Sequence, residues 1–272
     1  AEIAQALFTL MAKTIKRNGV SSSDASKTVL DLGCATALNA SQLREFAEHY
    51  IGVDISEGML KYAANKLSSL HNSENMYLSL GDAQALPLQS DSIDLVFSSM
   101  ALQWCDRPAT VVAEINRVLK PGGQAFLAIM LGSSMHELHD AWAQLGLPSR
   151  VNEFADAQTW LEASTRGESN IDCQHEFACF TEWHANSLSM LKGLKAIGAN
   201  TKQVGTEKTS MHQTSHEMIT RSELRALDER MVSTAKGFPL SYEIVFLHLS
   251  TGNHNERTAS QMHDPVCTEG NR

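Results

Sequence analysis

The chain reads as an α/β protein built on a parallel sheet covered by helices on both faces. Three observations predict this class. Continuous apolar runs of strand length ("TVLDLG" from Thr28, "YIGVDIS" from Tyr50, "MYLSLGD" from Met76, "SIDLVFSS" from Ser92) alternate with stretches of helical apolar spacing. Asp31 with Gly33, Asp54, Gly81 with Asp82, and Ser98 with Ser99 stand at the carboxyl ends of those runs, where such sheets bind ligands. A strong apolar run, "PLSYEIVFLHLS" at 239–250, supplies a closing strand.

The elements follow in order. Residues 3–17 carry apolar residues at helical spacing and predict an amphipathic helix, and "NGVSSSDASK" is a polar linker. After the first strand, "NASQLREFAEH" predicts a helix beginning near Asn39. Ser56 is placed to cap the helix "EGMLKYAANKLSSL" that follows the second strand. The third and fourth strands lead to "PATVVAEINRVL", a helix that "PGG" at 121–123 stops before the fifth strand, "QAFLAIM". Beyond Met130 the rhythm changes. Helices are predicted at 134–145, 154–164, 187–197 and 221–235, and a strand at 174–181. The segment from about 185 to 236 reads as a helical insertion between the last two strands. The polar tail, 251–272, has no apolar periodicity and is expected to be disordered, leaving one domain over 1–250.

Bulk composition narrows the function classes. At 272 residues, 43% hydrophobic and 19% charged, the chain buries a sizeable core in one large domain or one domain with an insertion. A net charge of −9 argues against nucleic acid or an anionic membrane as partner. The longest strongly apolar piece, "AFLAIML", is far short of the roughly 18–20 residues of a membrane helix. Five scattered cysteines without a C-x-x-C fit a reduced, cytoplasmic protein, and a monomer is the default expectation. His136 and His139, one helical turn apart, and His175 and His184, flanking a strand, lack ligand spacing with cysteines, so no metal is expected. The chain opens on Ala, which leaves room for a preceding segment.

The strand ends carry the chemistry. Gly33 lets backbone approach a ligand closely. A carboxylate at Asp54, 23 residues after Asp31, can accept both hydroxyls of a ribose, and Asp82 can accept from an adenine amino group. A lone Asp after a strand is ordinarily a cap or turn residue. Acidic ends on three consecutive strands exceed what capping requires and predict a nucleotide-type site. The spacing G-x-A-x-A after Asp31 does not suit the G-x-G-x-x-G turn that seats a pyrophosphate on a helix N-terminus. A cofactor with no phosphate does not need that helix end so exposed.

"VLDLGCATA", "YIGVDIS", "LGDAQALPLQSDSIDLVFSSMALQW" and "RVLKPGG", across residues 28–130, resemble the class I S-adenosylmethionine-dependent methyltransferases. That resemblance implies a Rossmann-like, doubly wound sheet of seven strands, mostly parallel with an antiparallel last strand. "ALQWCDRP", "SMHELHDAW", "VNEF", "LKGLKAIGAN", "ITRSELRAL" and "PLSYEIVF" narrow it to the malonyl-[acyl-carrier protein] O-methyltransferases of biotin synthesis. Such enzymes methylate the free carboxylate of a malonyl thioester and release S-adenosyl-L-homocysteine. The resemblance implies that Asp31, Gly33, Cys34, Ala35 and the backbone to residue 37 line the methionine part of the cofactor. It also implies that Asp54 and Ile55 hold the ribose, Asp82 and Ala83 the adenine, and Ser99 the methionine end. Cys34 is explained by packing rather than by redox or nucleophilic chemistry. Two departures stand out: alanines at 35 and 37 replace the usual glycines, and this sequence begins inside the first helix, before which the family carries a cofactor-covering segment. At 35 and 37 the backbone is expected to keep φ negative, since a left-handed alanine costs about 1–3 kcal/mol.

A carboxylate is ionised at neutral pH, so methyl transfer to it requires no general base. No catalytic acid or base is therefore expected. The substrate carboxylate calls instead for a fixed cation, with Arg150 and Arg221 as candidates against their reading as surface or helix-end charges. Gln103 and Trp104 are candidates to line the acceptor cavity, with a core aromatic the competing reading for Trp104. Residues 183–236 hold eight Lys/Arg against five Asp/Glu, a basic excess suited to an acidic acyl-carrier protein. Two alternatives stay open: a methyltransferase of another small carboxylate or hydroxyl compound, and a non-catalytic S-adenosylmethionine-binding scaffold.

Overall fold

The computed structural model describes residues 2–17, 26–68, 74–147, 149, 151–165, 171–196 and 219–252. Its elements are α1 (Glu2–Arg17), β1 (Thr28–Leu32), α2 (Ala40–Leu43), β2 (His49–Asp54), α3 (Glu57–Ser68), β3 (Met76–Leu80), β4 (Ile93–Ser99) and α4 (Pro108–Val118). There follow β5 (Leu119–Met130), α5 (His136–Gln144), α6 (Ala157–Thr165), β6 (Ile171–His184), α7 (Ser187–Ala196), α8 (Arg221–Arg230) and β7 (Phe238–Thr251).

Seven strands form one sheet in the order β3-β2-β1-β4-β5-β7-β6. β1 pairs in parallel with both β2 and β4, and β2–β3 and β4–β5 are parallel too. The chain therefore leaves β1 in opposite directions, and the crevice beyond β1 and β4 is the topological switch point. β7 returns antiparallel to β5. The Thr251 hydroxyl reaches the carbonyl of Lys120 at the start of β5, and Leu131, just past its end, donates to the carbonyl of Glu243.

The centre of this sheet is buried because its side chains are apolar on both faces. Val29, Leu30, Val96, Phe97, Phe126 and Leu127 are fully buried. α1 turns Leu7, Phe8, Met11 and Thr14 inward at helical spacing, and Phe8 stacks on Phe97 with ring centroids 4.5 Å apart. Pro108 starts α4, where its missing N–H costs nothing.

The backbone clusters into two compact units. One comprises Ala1–Ile129, Ala157–Phe177 and Val245–Arg272, and the other Met130–Asp156 and Ala178–Ile244. In the second unit α8 opens on a capping box, Thr220 with Glu223, and Glu137 of α5 accepts from both the backbone and the hydroxyl of Ser241.

Several boundaries differ from the sequence reading. The helix expected over 39–49 is one turn, Ala40–Leu43, after which Glu45 and Phe46 donate to carbonyls three residues back. The tighter winding brings Phe46 beside Phe8, with centroids at 6.5 Å, and delivers the chain to β2. β5 begins at Leu119 rather than after "PGG", with Gly122 at φ +78° and a register shift opposite Ile93/Leu95 absorbing the turn residues. β6 extends beyond the predicted 174–181 at both ends, and α8 stops at Arg230 as Met231 turns extended.

Replacing Phe97 by Ala removes a fully buried ring from the α1–β4 contact. We expect a loss of about 3–5 kcal/mol, seen as a lower urea midpoint with an unchanged slope.

Candidate functional site

The carboxyl ends of β1, β2 and β4 meet around one short turn, Gly33–Ala37. Gly33 has φ +76°, and a Cβ built there would lie 2.1 Å from the Cβ of Ala101. Only glycine brings this turn against the segment after β4. Its N–H and that of Cys34 both donate to the carbonyl of Val53 in β2.

Ala35 and Ala37 correct the expectation from sequence: both are left-handed, at φ +46° and +52°. The physical reason lies in their hydrogen bonds. In this conformation the Ala35 N–H donates to Asp54 Oδ2 at 2.8 Å, and that of Ala37 to the Cys34 carbonyl at 2.7 Å, bonds that offset the cost of the left-handed backbone. Met100, just after β4, is left-handed as well at +58°.

Asp54 holds its position through both oxygens, Oδ2 accepting from Ala35 and Oδ1 from the Ser56 N–H, at 2.8 Å each. Each oxygen keeps a second lone pair. Ile55 beside it is 72% exposed, a flat apolar surface at the strand tip. Asp82 accepts the Gln84 N–H on Oδ1 at 2.8 Å; among the described residues Oδ2 takes no hydrogen bond. Ala83 is half-buried in the same turn, and Ser99 is half-buried at the end of β4. The adjacent Ser98 is buried and donates to the Leu32 carbonyl.

Beneath the turn lies a polar cluster. Asp31 is 1% exposed and accepts the Tyr50 hydroxyl on Oδ2 at 2.9 Å. Burial pushes its carboxyl up to about 7, opposed by the Tyr50 hydrogen bond and reinforced by the negative charge of Asp54. Burial also pushes the Cys34 thiol up to about 12, helped by the Asp31 and Asp54 charges, so the thiol stays protonated and is a poor nucleophile. The Tyr50 phenol is raised well above its ordinary value, chiefly by burial.

After β4, Leu102–Trp104 form a single 3₁₀ turn. Gln103 is buried, its Nε2 donating to the Met100 carbonyl while Oε1 has no partner among the described residues. Trp104 is half-buried. The turns at 33–37, 54–55, 82–83 and 99–104 all lie in the first compact unit. Arg221 is exposed at the first turn of α8 in the second unit, and Arg150 falls outside the described residues. Among the described residues no group of His, Cys, Asp or Glu is arranged to hold a metal ion. Sequence reasoning passed over Tyr50, although a tyrosine on a buried strand must find a partner for its hydroxyl. It also passed over Glu114 and Arg117 of α4, whose spacing of three residues on a helix was the available signal.

The sheet order, with its switch point at β1/β4, is that of a Rossmann-like fold, and kinship makes it a class I, S-adenosylmethionine-dependent methyltransferase. The Methyltransferase domain family matches residues 30–127. In fold, the chain is similar to the YcgJ protein of Bacillus subtilis, with a TM-score of 0.61 at 17% identity, covering 92% of this chain and 99% of that one. In sequence, it is 31% identical to the malonyl-[acyl-carrier protein] O-methyltransferase of Erwinia billingiae, over 80% of each chain. It is 34% identical to the enzyme of that name from Alcanivorax borkumensis, over 80% of this chain and 71% of the relative. The chain belongs to the malonyl-[acyl-carrier protein] O-methyltransferase family.

Two predictions follow from this geometry. Ala35→Gly relieves a left-handed alanine and should stabilise the fold by up to about 1 kcal/mol, whereas Ala37→Gly also deletes a buried methyl and should be close to neutral. Chemical denaturation of both variants checks this. Asp31 binds its proton more tightly folded than unfolded, so its contribution to stability is full below about pH 4 and is lost as pH rises through about 7. In the cofactor-free protein, the stability difference between wild type and Asp31→Asn should therefore fall between about pH 4 and pH 7 and level off above, with a slope of at most about 1.4 kcal/mol per unit. A pH-independent difference would show that Asp31 does not titrate there.

Proposed function

We propose that this protein transfers a methyl group from S-adenosylmethionine to the free carboxylate of a malonyl thioester carried on acyl-carrier protein. One observation carries the substrate assignment: kinship with enzymes of that name extends over 80% of both chains, well beyond the cofactor-binding half.

The residues present suit the cofactor. Asp54 offers a lone pair on each oxygen to the two ribose hydroxyls, with Ile55 as the apolar surface beside it. Asp82 Oδ2 accepts from the adenine amino group, next to the Ala83 backbone. The Gly33–Ala37 turn would approach the methionine portion, with buried Asp31 and Cys34 supporting the turn and half-buried Ser99 at the end of β4 a candidate contact. S-adenosylmethionine supplies an electrophilic methyl group and leaves as S-adenosylhomocysteine. The protein's own task is then to orient a carboxylate that is already ionised and to exclude water around it. Arg150 and Arg221 are the candidate cations for that carboxylate, and Gln103 and Trp104 the candidate walls of the acceptor cavity.

The basic excess of residues 183–236, eight Lys/Arg against five Asp/Glu, supports an acidic carrier as partner. Asp228 is engaged in accepting the Ser187 N–H at the start of α7, and Glu223 in capping α8. Lys192, Arg221, Arg225 and Arg230 are exposed on the same two helices, with Glu229 the exposed carboxylate beside them. The net charge of −9 speaks against a nucleic acid partner, and no described helix is long and apolar enough to cross a membrane. We read the protein as a cytoplasmic monomer in which 1–250 form one methyltransferase domain with 185–236 its helical cap; of the tail expected over 251–272, Thr251 ends β7 and residues 253–272 lie outside the described residues.

The purified protein, S-adenosylmethionine and either malonyl-acyl-carrier protein or malonyl-CoA should yield the methyl ester of the carrier-bound malonyl group in preference. Esterification of neither thioester would overturn the substrate assignment. Asp54→Ala should raise the cofactor KM by at least about tenfold, the scale of one or two lost charge-assisted hydrogen bonds.

A further inference from the structure

The twelve residues between β3 and β4, Gly81–Ser92, form no regular element beyond a bridge between Asp82 and Ala85, yet they carry the turn assigned above to adenine. Their main-chain groups are satisfied largely from one helix. Glu114 of α4 accepts the Leu86 N–H on Oε2 at 2.7 Å. Arg117, one turn further along, donates through Nη2 to the Leu86 carbonyl at 3.0 Å and through Nη1 to the Leu88 carbonyl at 2.8 Å. The two side chains are themselves joined by a fork, Nε to Oε1 at 2.7 Å and Nη2 to Oε2 at 2.8 Å. The carbonyls of Arg117 and Val118 accept the N–H groups of Asp91 and Ser92, and Arg107, at the other end of α4, donates to Gln84 Oε1 at 3.1 Å.

We propose that Glu114 and Arg117 are positioning residues for the adenine end of the cofactor, acting through the loop that bears Asp82 and Ala83. The proposal rests on the reading of that loop as the adenine contact. Three features separate this pair from an ordinary surface ion pair. The side chains are only 18% and 34% exposed. The pair satisfies three main-chain groups of a segment with little other scaffolding, and its planar, bidentate geometry fixes their direction. The clamped residue, Leu86, has its own side chain buried and lies next to the Asp82–Ala85 bridge, so a shift at Leu86 reaches Asp82 directly. The hydrogen bond of Arg117 also holds the Glu114 carboxyl below its usual range, keeping it an acceptor at neutral pH.

The test compares Arg117→Met, Arg117→Lys and Glu114→Gln with Lys61→Met, which breaks an exposed ion pair on α3. In Arg117→Met the Kd and KM for S-adenosylmethionine should rise at least tenfold, while kcat at saturating cofactor stays within about threefold. 5′-Methylthioadenosine, which keeps adenine and ribose but lacks the amino-acid end, should weaken by a similar factor. Arg117→Lys should fall between, since a point donor cannot reproduce the fork, and Lys61→Met should match wild type. The Leu86 amide should exchange faster in Arg117→Met and Glu114→Gln, which identifies loop release even if Arg117→Met proves unstable. Loop release with cofactor affinity within twofold of wild type would overturn the proposal, and so would a fall in kcat with KM unchanged. Failure of wild type to bind S-adenosylmethionine would instead overturn the cofactor reading beneath it.

Discussion

The ligand end of this fold depends on a missing Cβ. With no side chain at Gly33, the turn after β1 can lie against Ala101 in the segment after β4, where any Cβ would overlap. β1 and β4 are neighbours whose chains part at the switch point, so this contact sets the depth of the crevice between them. The turn is then tied to β2 through the Val53 carbonyl and the Asp54 carboxylate. Three strand ends are thus joined by one glycine and a few main-chain donors.

The same economy explains the two alanines. Left-handed conformation at 35 and 37 costs free energy, and the turn that adopts it also brings the Ala35 N–H to Asp54 and that of Ala37 to the Cys34 carbonyl. A carboxylate held by two backbone donors cannot swing away, so Asp54 presents its remaining lone pairs in a fixed direction. Below it, the buried Asp31–Tyr50 pair keeps a second carboxylate out of water, where it favours its neutral form near an anionic neighbour. The strain and the buried acid both lie beneath the proposed cofactor position, the region where strained and electrostatically frustrated groups tend to be retained.

Much of the fold was legible because its signals are local. Apolar runs and helical spacing reported β1–β5 and α1, α3 and α4, and the acids at 31, 54 and 82 lie at or beside the carboxyl ends of β1, β2 and β3, as residue type and position alone predict. Boundaries slipped where tertiary contacts outweighed local pattern. The helix after the first turn shortened as Phe46 moved beside Phe8, and β5 absorbed "PGG" through a register shift. Kinship supplied what local patterns could not, because fold and cofactor geometry are compatible with many acceptors.

By itself, then, the sequence determined the order of strands and helices, the acid-tipped ends and the absence of a pyrophosphate-type glycine turn. Each of these follows from the chemistry of residues close together in the chain. Only the tertiary structure decided the φ of Ala35, Ala37 and Met100, the partner of Asp31, and the hold of Glu114 and Arg117 on a loop some 30 residues earlier. Those depend on donors and acceptors brought together by the sheet, and a hydrogen bond between distant residues leaves no period in the sequence to read.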